Sequence, residues 1–136
     1  MEHIAIQNKK YTFGPITQLD IFCRCQNRKD PPYDKVSVGD LVYPLMNGII
    51  LCVADVSYVR SFEFSDISEV IKLCKGTDLD GANAFWDDMK DRRYATVIHI
   101  LNNRLLPKPI VPRTRSFGSG WITLDNRGKR SEWLNL

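Results

Sequence analysis

The chain has 136 residues, of which 43% are hydrophobic and 26% are charged, and its formal net charge is +3. This is an ordinary globular composition with enough residues for a hydrophobic core, and it excludes a disordered, collagen-like or coiled-coil chain. No apolar run reaches the length of a membrane helix, and the first residues do not resemble a secretory signal. We therefore expect one domain over residues 1–136, cytoplasmic and without membrane association.

Short apolar segments separated by turn residues predict about five to seven strands. In the first third of the chain the candidate strands are His3–Ile6, Tyr11–Phe13 and Leu19–Cys25. Gln26–Asp34 follows as a loop, because it is rich in Asn, Asp, Lys and Pro.

The clearest local pattern is a hairpin. Val36–Leu45 begins with a tight turn and continues as a strand, and Asn47-Gly48 is a turn pair in which both residues tolerate a positive φ. Ile49–Val56, almost entirely apolar, is the returning strand.

Two helices are predicted after this hairpin. Asp66 and Glu69 have the spacing of a capping box, so the first helix should begin there and end near Lys75, before Gly76. Asp80 is the candidate cap of a second helix that carries Phe85-Trp86. Strands and helices do not alternate along the chain, which argues against a parallel α/β fold.

The last third of the chain returns to strands. Tyr94–Leu101 is a strongly apolar strand, and the prolines at 107, 109 and 112 mark an extended stretch that cannot occupy a central strand. Gly120–Leu124 is a last short strand, and the chain then turns into a tail that ends Trp133–Leu136. Together these predicted elements indicate an α+β, mostly β fold: a small, twisted β-barrel with about two flanking helices.

Several of these segments resemble the PUA-like superfamily, which includes the EVE, ASCH and YTH domains. The paired strands Val38–Tyr43 and Gly48–Ala54 match its Gly-Asp-strand, turn and strand pattern. Phe85-Trp86, Ala95–Ile100 and Leu105–Ile110 are similar to the EVE order of an aromatic residue, a strand and a segment containing Pro and Ile. The resemblance covers roughly residues 36–112.

The resemblance implies a twisted barrel with a cleft for a single nucleobase, since EVE and YTH relatives hold a modified base between aromatic side chains. Aromatic walls replace the stacking that a base loses when it leaves its strand. ASCH relatives carry a Gly-x-Lys start, and some are proposed to be amidohydrolases of acylated nucleosides. Gly14–Thr17 lacks that lysine, and the N-terminal aromatic run of EVE domains is missing.

Eight residues are therefore candidates for a nucleic-acid site. The candidate pocket aromatics are Tyr43, Trp86 and Trp121, and Phe117 is a second candidate for stacking on a base. The candidate phosphate contacts are Arg104, Lys108, Arg113 and Arg115, within a stretch, residues 104–130, that has seven bases and one acid. The alternative is core packing for the aromatics and a solubilising surface for the basic residues.

Catalytic and metal-binding patterns are poor. The histidines, His3 and His99, lie in apolar strands rather than in loops. The four cysteines form no C-x-x-C pair, so we expect apolar fillers in a reducing compartment, no metal and no cofactor. The sequence favours a binding domain over an enzyme.

Three functions remain open. The first is recognition of a modified or flipped base in RNA or DNA. The second is an ASCH-like amidohydrolase that acts on modified nucleosides. The third is a protein-interaction domain, in which the tail Trp133–Leu136 docks on a partner or on a second copy of the chain.

Overall fold

The computed structural model describes residues 1–136 and contains one six-stranded sheet in the order β2-β5-β4-β3-β1-β6. The strands are β1 (Glu2–Ile6), β2 (Ile21–Gln26), β3 (Leu41–Met46), β4 (Ile49–Glu63), β5 (Tyr94–Ile110) and β6 (Trp121–Thr123). The helices are α1 (Ser68–Ile71), α2 (Asn83–Met89) and α3 (Arg127–Leu134). Only β1 and β3 pair in parallel. The prediction of a mostly β, α+β fold is confirmed.

The sheet curls until its two ends meet. β2 and β6 are at opposite ends of the strand order, yet Phe22 of β2 packs on Trp121 of β6 with ring centroids 6.0 Å apart. Register shifts between β4 and β5 mark irregularities of the kind that bend strands, which helps the curl. We call the line along which β2 meets β1 and β6 the seam.

Local signals of the sequence are confirmed at the hairpin and at the first helix. Asn47 and Gly48 connect β3 and β4 with φ values of 55° and 78°. The Glu69 carboxylate accepts a hydrogen bond of 3.1 Å from the backbone N–H of Asp66, and Asp66 Oδ1 accepts from the N–H of Ser68. α1 continues as a 3-10 turn to Cys74, and Gly76 follows with φ 79°.

Two local predictions in the first two-thirds of the chain are wrong. Tyr11–Phe13 is not a strand, because Asn8 Oδ1 accepts a hydrogen bond from the N–H of Lys10 and starts a 3-10 turn at Lys9–Tyr11. Asp80 does not cap the second helix. Its carboxylate accepts from the N–H of Gly76 instead, and Ala82 precedes α2 without a side-chain cap.

The proline stretch is part of a strand, which the sequence did not predict. β5 runs through Pro107 and Pro109 to Ile110 and pairs with β4. β2 pairs with β5 only as far as His99, so the later part of β5 has an open edge. Proline is tolerated there because an edge strand does not need every backbone N–H.

The C-terminal tail is a helix rather than a free segment. Asn126 caps α3 by accepting a hydrogen bond of 2.8 Å from the N–H of Lys129. Trp133 and Leu134 are buried in a cluster with Ile4 and Leu45 of the sheet. Docking of this tail on a partner remains a prediction.

The core has three parts. One lies between the sheet and α1 and α2, a second fills the inside of the curl, and the third lies under α3. None of the helices is long and apolar enough to cross a membrane.

Candidate functional site

A cleft of about 220 Å³ opens at the seam, beside the edge strand β2. Its walls are mostly apolar and include Tyr11, Phe13 and Phe85. Tyr11 is fixed in place, since its hydroxyl donates to Asp88 at 2.5 Å and its ring packs edge-on against Phe85. Pockets for drug-sized ligands begin at roughly 300 Å³, so this cleft suits a single small ring system.

Arg24 is the cationic group of the cleft. Residues two apart in a strand share a face, so Arg24 lies beside Phe22, inside the curl. Its guanidinium carbon is 5.7 Å from the Trp121 ring centroid and 5.9 Å from that of Phe22. Nη2 donates across the seam to the backbone oxygen of Ile6 at 3.1 Å and to the Gln7 amide oxygen at 2.7 Å.

The charge of Arg24 has no partner in the chain. No carboxylate lies within ion-pair distance of its guanidinium, and its Nε and Nη1 donate no hydrogen bond to the protein. Burial lowers the pKa of Arg24 to about 10, which leaves the group charged at neutral pH. Buried charges are normally paired, so a ligand acceptor at this position would be favoured.

Asp78 is the acidic group of the cleft. Its backbone N–H donates to Asp20 Oδ1 at 3.1 Å, which brings the two carboxyl groups together. Burial and the neighbouring Asp20 carboxylate raise the pKa of Asp78. Asp78 Oδ2 is buried and has no hydrogen-bond partner.

Asp78→Asn is expected to stabilise the protein at neutral pH and so to raise Tm. A raised folded-state pKa means that the ionised form is disfavoured in the native state, so wild type loses stability as the pH rises through that pKa. The amide cannot ionise and avoids this loss. The difference in Tm between Asp78→Asn and wild type should vanish near pH ~3, below the ordinary aspartate pKa.

Thermal unfolding across this pH range checks the expectation. The matched control is Asp87→Asn, an exposed position on α2, which should show no such pH-dependent gain. An Asp78→Asn variant that is less stable than wild type at neutral pH would contradict it.

A buried hydrogen-bond chain supports the inner wall behind Arg24. The Trp121 Nε1–H donates to His3 Nδ1 at 3.2 Å, and His3 Nε2 donates to Asp40 Oδ2 at 2.8 Å. His3 is fully buried, and burial lowers its pKa, so the ring is neutral. The chain links β1, the turn before β3, and β6, and its role is to position Trp121.

Two of the four cysteines, Cys23 and Cys25, line the cleft. All four are free, and Cys23 is 3.9 Å from Cys25, measured between sulfurs. Cys25 and Cys74 beside it, together with burial, raise the pKa of Cys23 well above its ordinary value. Reactive cysteines need a lowered pKa, so Cys23 behaves as an apolar filler. No three His, Cys, Asp or Glu side chains converge as metal ligands.

The predicted aromatic residues are mostly inside the protein. Tyr43 is buried, and its hydroxyl donates to Glu2 at 2.7 Å. Trp86 is buried as well, its indole N–H donating to the Leu79 carbonyl at 3.1 Å. Neither residue lines the cleft. Trp121 lies beneath Arg24 and is 1% exposed, whereas Phe117 is 94% exposed.

The predicted basic residues fall into two groups. Arg104 pairs with Asp55 at 3.1 Å, and Arg113 donates to backbone oxygens at the end of α3. Lys108 and Arg115 are exposed and make no ion pair in the chain. Contact of these side chains with phosphates stays a prediction.

The sequence did not single out Arg24 or Asp78. One signal was available for Arg24, since it is the charged residue within the apolar run Ile21–Cys25. Its position at the seam depends on the curl of the sheet, which no local pattern encodes. Asp78 carries no local signal, because its neighbour Asp20 is 58 residues away in the chain.

Comparison with known proteins establishes the fold and no more. No protein-family model matches the chain, and no curated protein matches its sequence. The structure is similar to the crystal structure of a mutant of ZmASCH, an ASCH domain protein from Zymomonas mobilis. The TM-score is 0.57 and the sequence identity 10%, over 80% of this chain and 72% of that one. The chain therefore has a small α+β, PUA-like fold.

Proposed function

We propose that this PUA-like domain binds nucleic acid and receives one base in the cleft beside Arg24. The observation that carries the proposal is the unpaired guanidinium of Arg24 inside an aromatic cleft. Its free Nε and Nη1 are donors for a base edge, and arginine is the side chain most often used for such contacts. Charge-assisted hydrogen bonds are about twice as strong as neutral ones.

The aromatic side chains of the cleft can stack on the base whose edge Arg24 would contact. Tyr11, Phe13 and Phe85 are wall residues, and Phe13 is 41% exposed. Stacking on an aromatic side chain contributes roughly 1–3 kcal/mol per base. This is comparable to the few kcal/mol that flipping a base out of its strand costs.

We call residues 108–120, the end of β5 and the loop before β6, the rim, because Gly120 at its end lines the cleft. The loop carries the exposed side chains Arg115 and Phe117. Lys108 is exposed near the end of β5. If one base of a strand enters the cleft, the neighbouring phosphates would meet the cations of this rim. A basic rim therefore favours a nucleic acid over an isolated neutral molecule as the ligand.

The test of the proposal is fluorescence-anisotropy binding to short single- and double-stranded DNA and RNA, with and without modified bases, at two salt concentrations. Binding that weakens with salt supports the proposal. Absence of binding to every probe would count against it.

Replacing Lys108 and Arg115 together with alanine should weaken binding about equally for every sequence. Loss of two phosphate contacts is expected to reduce the slope of log K against log salt by about 1.5. The matched control removes two exposed charges elsewhere, Lys72 and Lys75 beside α1. An unchanged slope in the first variant, or an equal change in the control, would remove Lys108 and Arg115 from the interface.

One observation favours a second candidate function, hydrolysis of modified nucleosides. An amidohydrolase needs a proton-transferring group in its cleft, and Asp78 is an acid with a raised pKa at that position. Turnover of N-acylated nucleosides, followed by chromatography and lost in Asp78→Asn, would support it. If no such nucleoside is turned over, hydrolysis is ruled out as a function and nucleic-acid binding remains the proposed one.

A further inference from the structure

We propose that the cleft selects bases that carry an exocyclic amino group, and that Asp78 is the residue that selects them. This inference rests on the proposed function and names the class of base. Cytosine, adenine and guanine carry such a group, whereas uracil, thymine and hypoxanthine do not. Asp78 is a specificity-determining residue here and takes no part in a covalent step.

The first observation is the unsatisfied carboxylate. Asp78 lines the cleft, and its Oδ2 is buried against Gly14 without a hydrogen-bond donor. The neighbouring side chain of Asp20 carries carboxylate oxygens, which accept hydrogen bonds, and its Oδ1 already accepts from the Asp78 backbone N–H. An unsatisfied buried acceptor costs free energy, and a ligand N–H that reached Asp78 would recover it.

The second observation is that Arg24 and Asp78 line one cleft and do not pair with each other. The cleft therefore presents donors at one point and an acceptor at another. A complementary ligand carries acceptors on one part of its ring and a donor on another part. Bases with both a ring acceptor and an amino group have this pattern.

The recessed position of the acceptor distinguishes an amino group from a ring N–H. Asp78 Oδ2 lies behind the surface of the wall, since it has almost no exposed area. An exocyclic nitrogen projects beyond the ring, so it approaches the Asp78 carboxylate before any ring N–H does. In uracil the ring N–H lies between two carbonyl oxygens, and in hypoxanthine it lies beside one. These oxygens project instead and meet the carboxylate with unfavourable electrostatics.

The experiment compares two single-stranded DNA hexamers, one of deoxycytidine and one of deoxyuridine, whose bases differ only in the amino group or carbonyl at C4 and in the proton on the adjacent N3. Both carry the same backbone charge, so phosphate contacts cancel in the ratio of their Kd values. We expect wild type to bind the deoxycytidine hexamer about tenfold more tightly, the usual size of one base-edge contact. In Asp78→Asn the ratio should fall toward one, because an amide both donates and accepts.

The control is Asp87→Asn, which removes one exposed carboxylate of α2 and should keep the tenfold ratio. Thermal unfolding of each variant confirms that it is folded. Equal affinity of wild type for both hexamers, with binding still lost in Arg24→Met, would overturn the inference and leave the proposed function intact. A preference that persists in Asp78→Asn would overturn it as well. Failure of wild type to bind either hexamer, or any other nucleic-acid probe, would overturn both.

Discussion

Replacing Arg24 with methionine is expected to weaken nucleic-acid binding by at least about a hundredfold, while the protein remains folded. The variant loses two free charge-assisted donors, each contributing roughly 1.5–3 kcal/mol when its partner is satisfied. Methionine keeps an unbranched apolar side chain against Phe22 and Trp121. Because burial lowers the pKa of Arg24, the folded state disfavours its charge. Removing that charge offsets the loss of the hydrogen bonds to Ile6 and Gln7, so the protein should remain folded.

Anisotropy titrations and thermal unfolding of the same preparations check both parts of this expectation. The matched control is Arg28→Met, which removes one charge from an exposed arginine that pairs only with Asp30. It should change affinity by less than about threefold, since surface charges contribute little at ordinary salt. An Arg24→Met variant with wild-type affinity would contradict the proposed role of the cleft.

Replacing Trp121 with alanine should lower the free energy of unfolding by about 3–5 kcal/mol. Trp121 is among the most buried large side chains, and it holds the seam closed by packing on Phe22. The substitution opens a cavity and leaves His3 Nδ1 without its indole donor. Since native proteins are stable by only about 5–15 kcal/mol, this is a large part of the total.

Urea denaturation measures the loss, and two further variants interpret it. Trp121→Phe keeps an aromatic ring and loses the hydrogen bond, so we expect an intermediate loss of about 1–3 kcal/mol. Phe117→Ala, at a 94% exposed position, should stay within about 0.5 kcal/mol of wild type. If Trp121→Ala kept full stability and lost only ligand binding, Trp121 would be a contact of the ligand and not a support of the seam.

Features of the fold that depend on neighbouring residues could be predicted from the sequence. The Asn47-Gly48 turn and the Asp66–Glu69 cap are encoded within a few residues, and the structure confirms both. Competition between local hydrogen bonds explains one error, since Asn8 turns a short apolar segment into a 3-10 turn. The helix α3 is a second error of this kind. Asn126 predicts a turn before the tail, but its side chain caps a helix by accepting a hydrogen bond from the N–H of Lys129.

The candidate site could be predicted only in outline. An aromatic cleft follows from the resemblance and a basic surface from the charge of residues 104–130, but the residues of the cleft depend on which strand edges meet. Trp86 and Tyr43 are aromatic residues of a kind that suits either a pocket or a core, and the structure buries both. Arg24 becomes conspicuous only when the seam brings Ile6 and Gln7 against it.

The most direct test of the central claim is an NMR titration of isotope-labelled wild-type protein with a single-stranded oligonucleotide that it binds. We expect the largest shifts at the Arg24 Nε–H and at the backbone amides of Phe13 and Gly120, which line the cleft. Smaller shifts should follow along the rim at Lys108 and Arg115. Shifts confined to the rim, with the Arg24 Nε–H unchanged, would show that nucleic acid binds without entering the cleft and would contradict the claim.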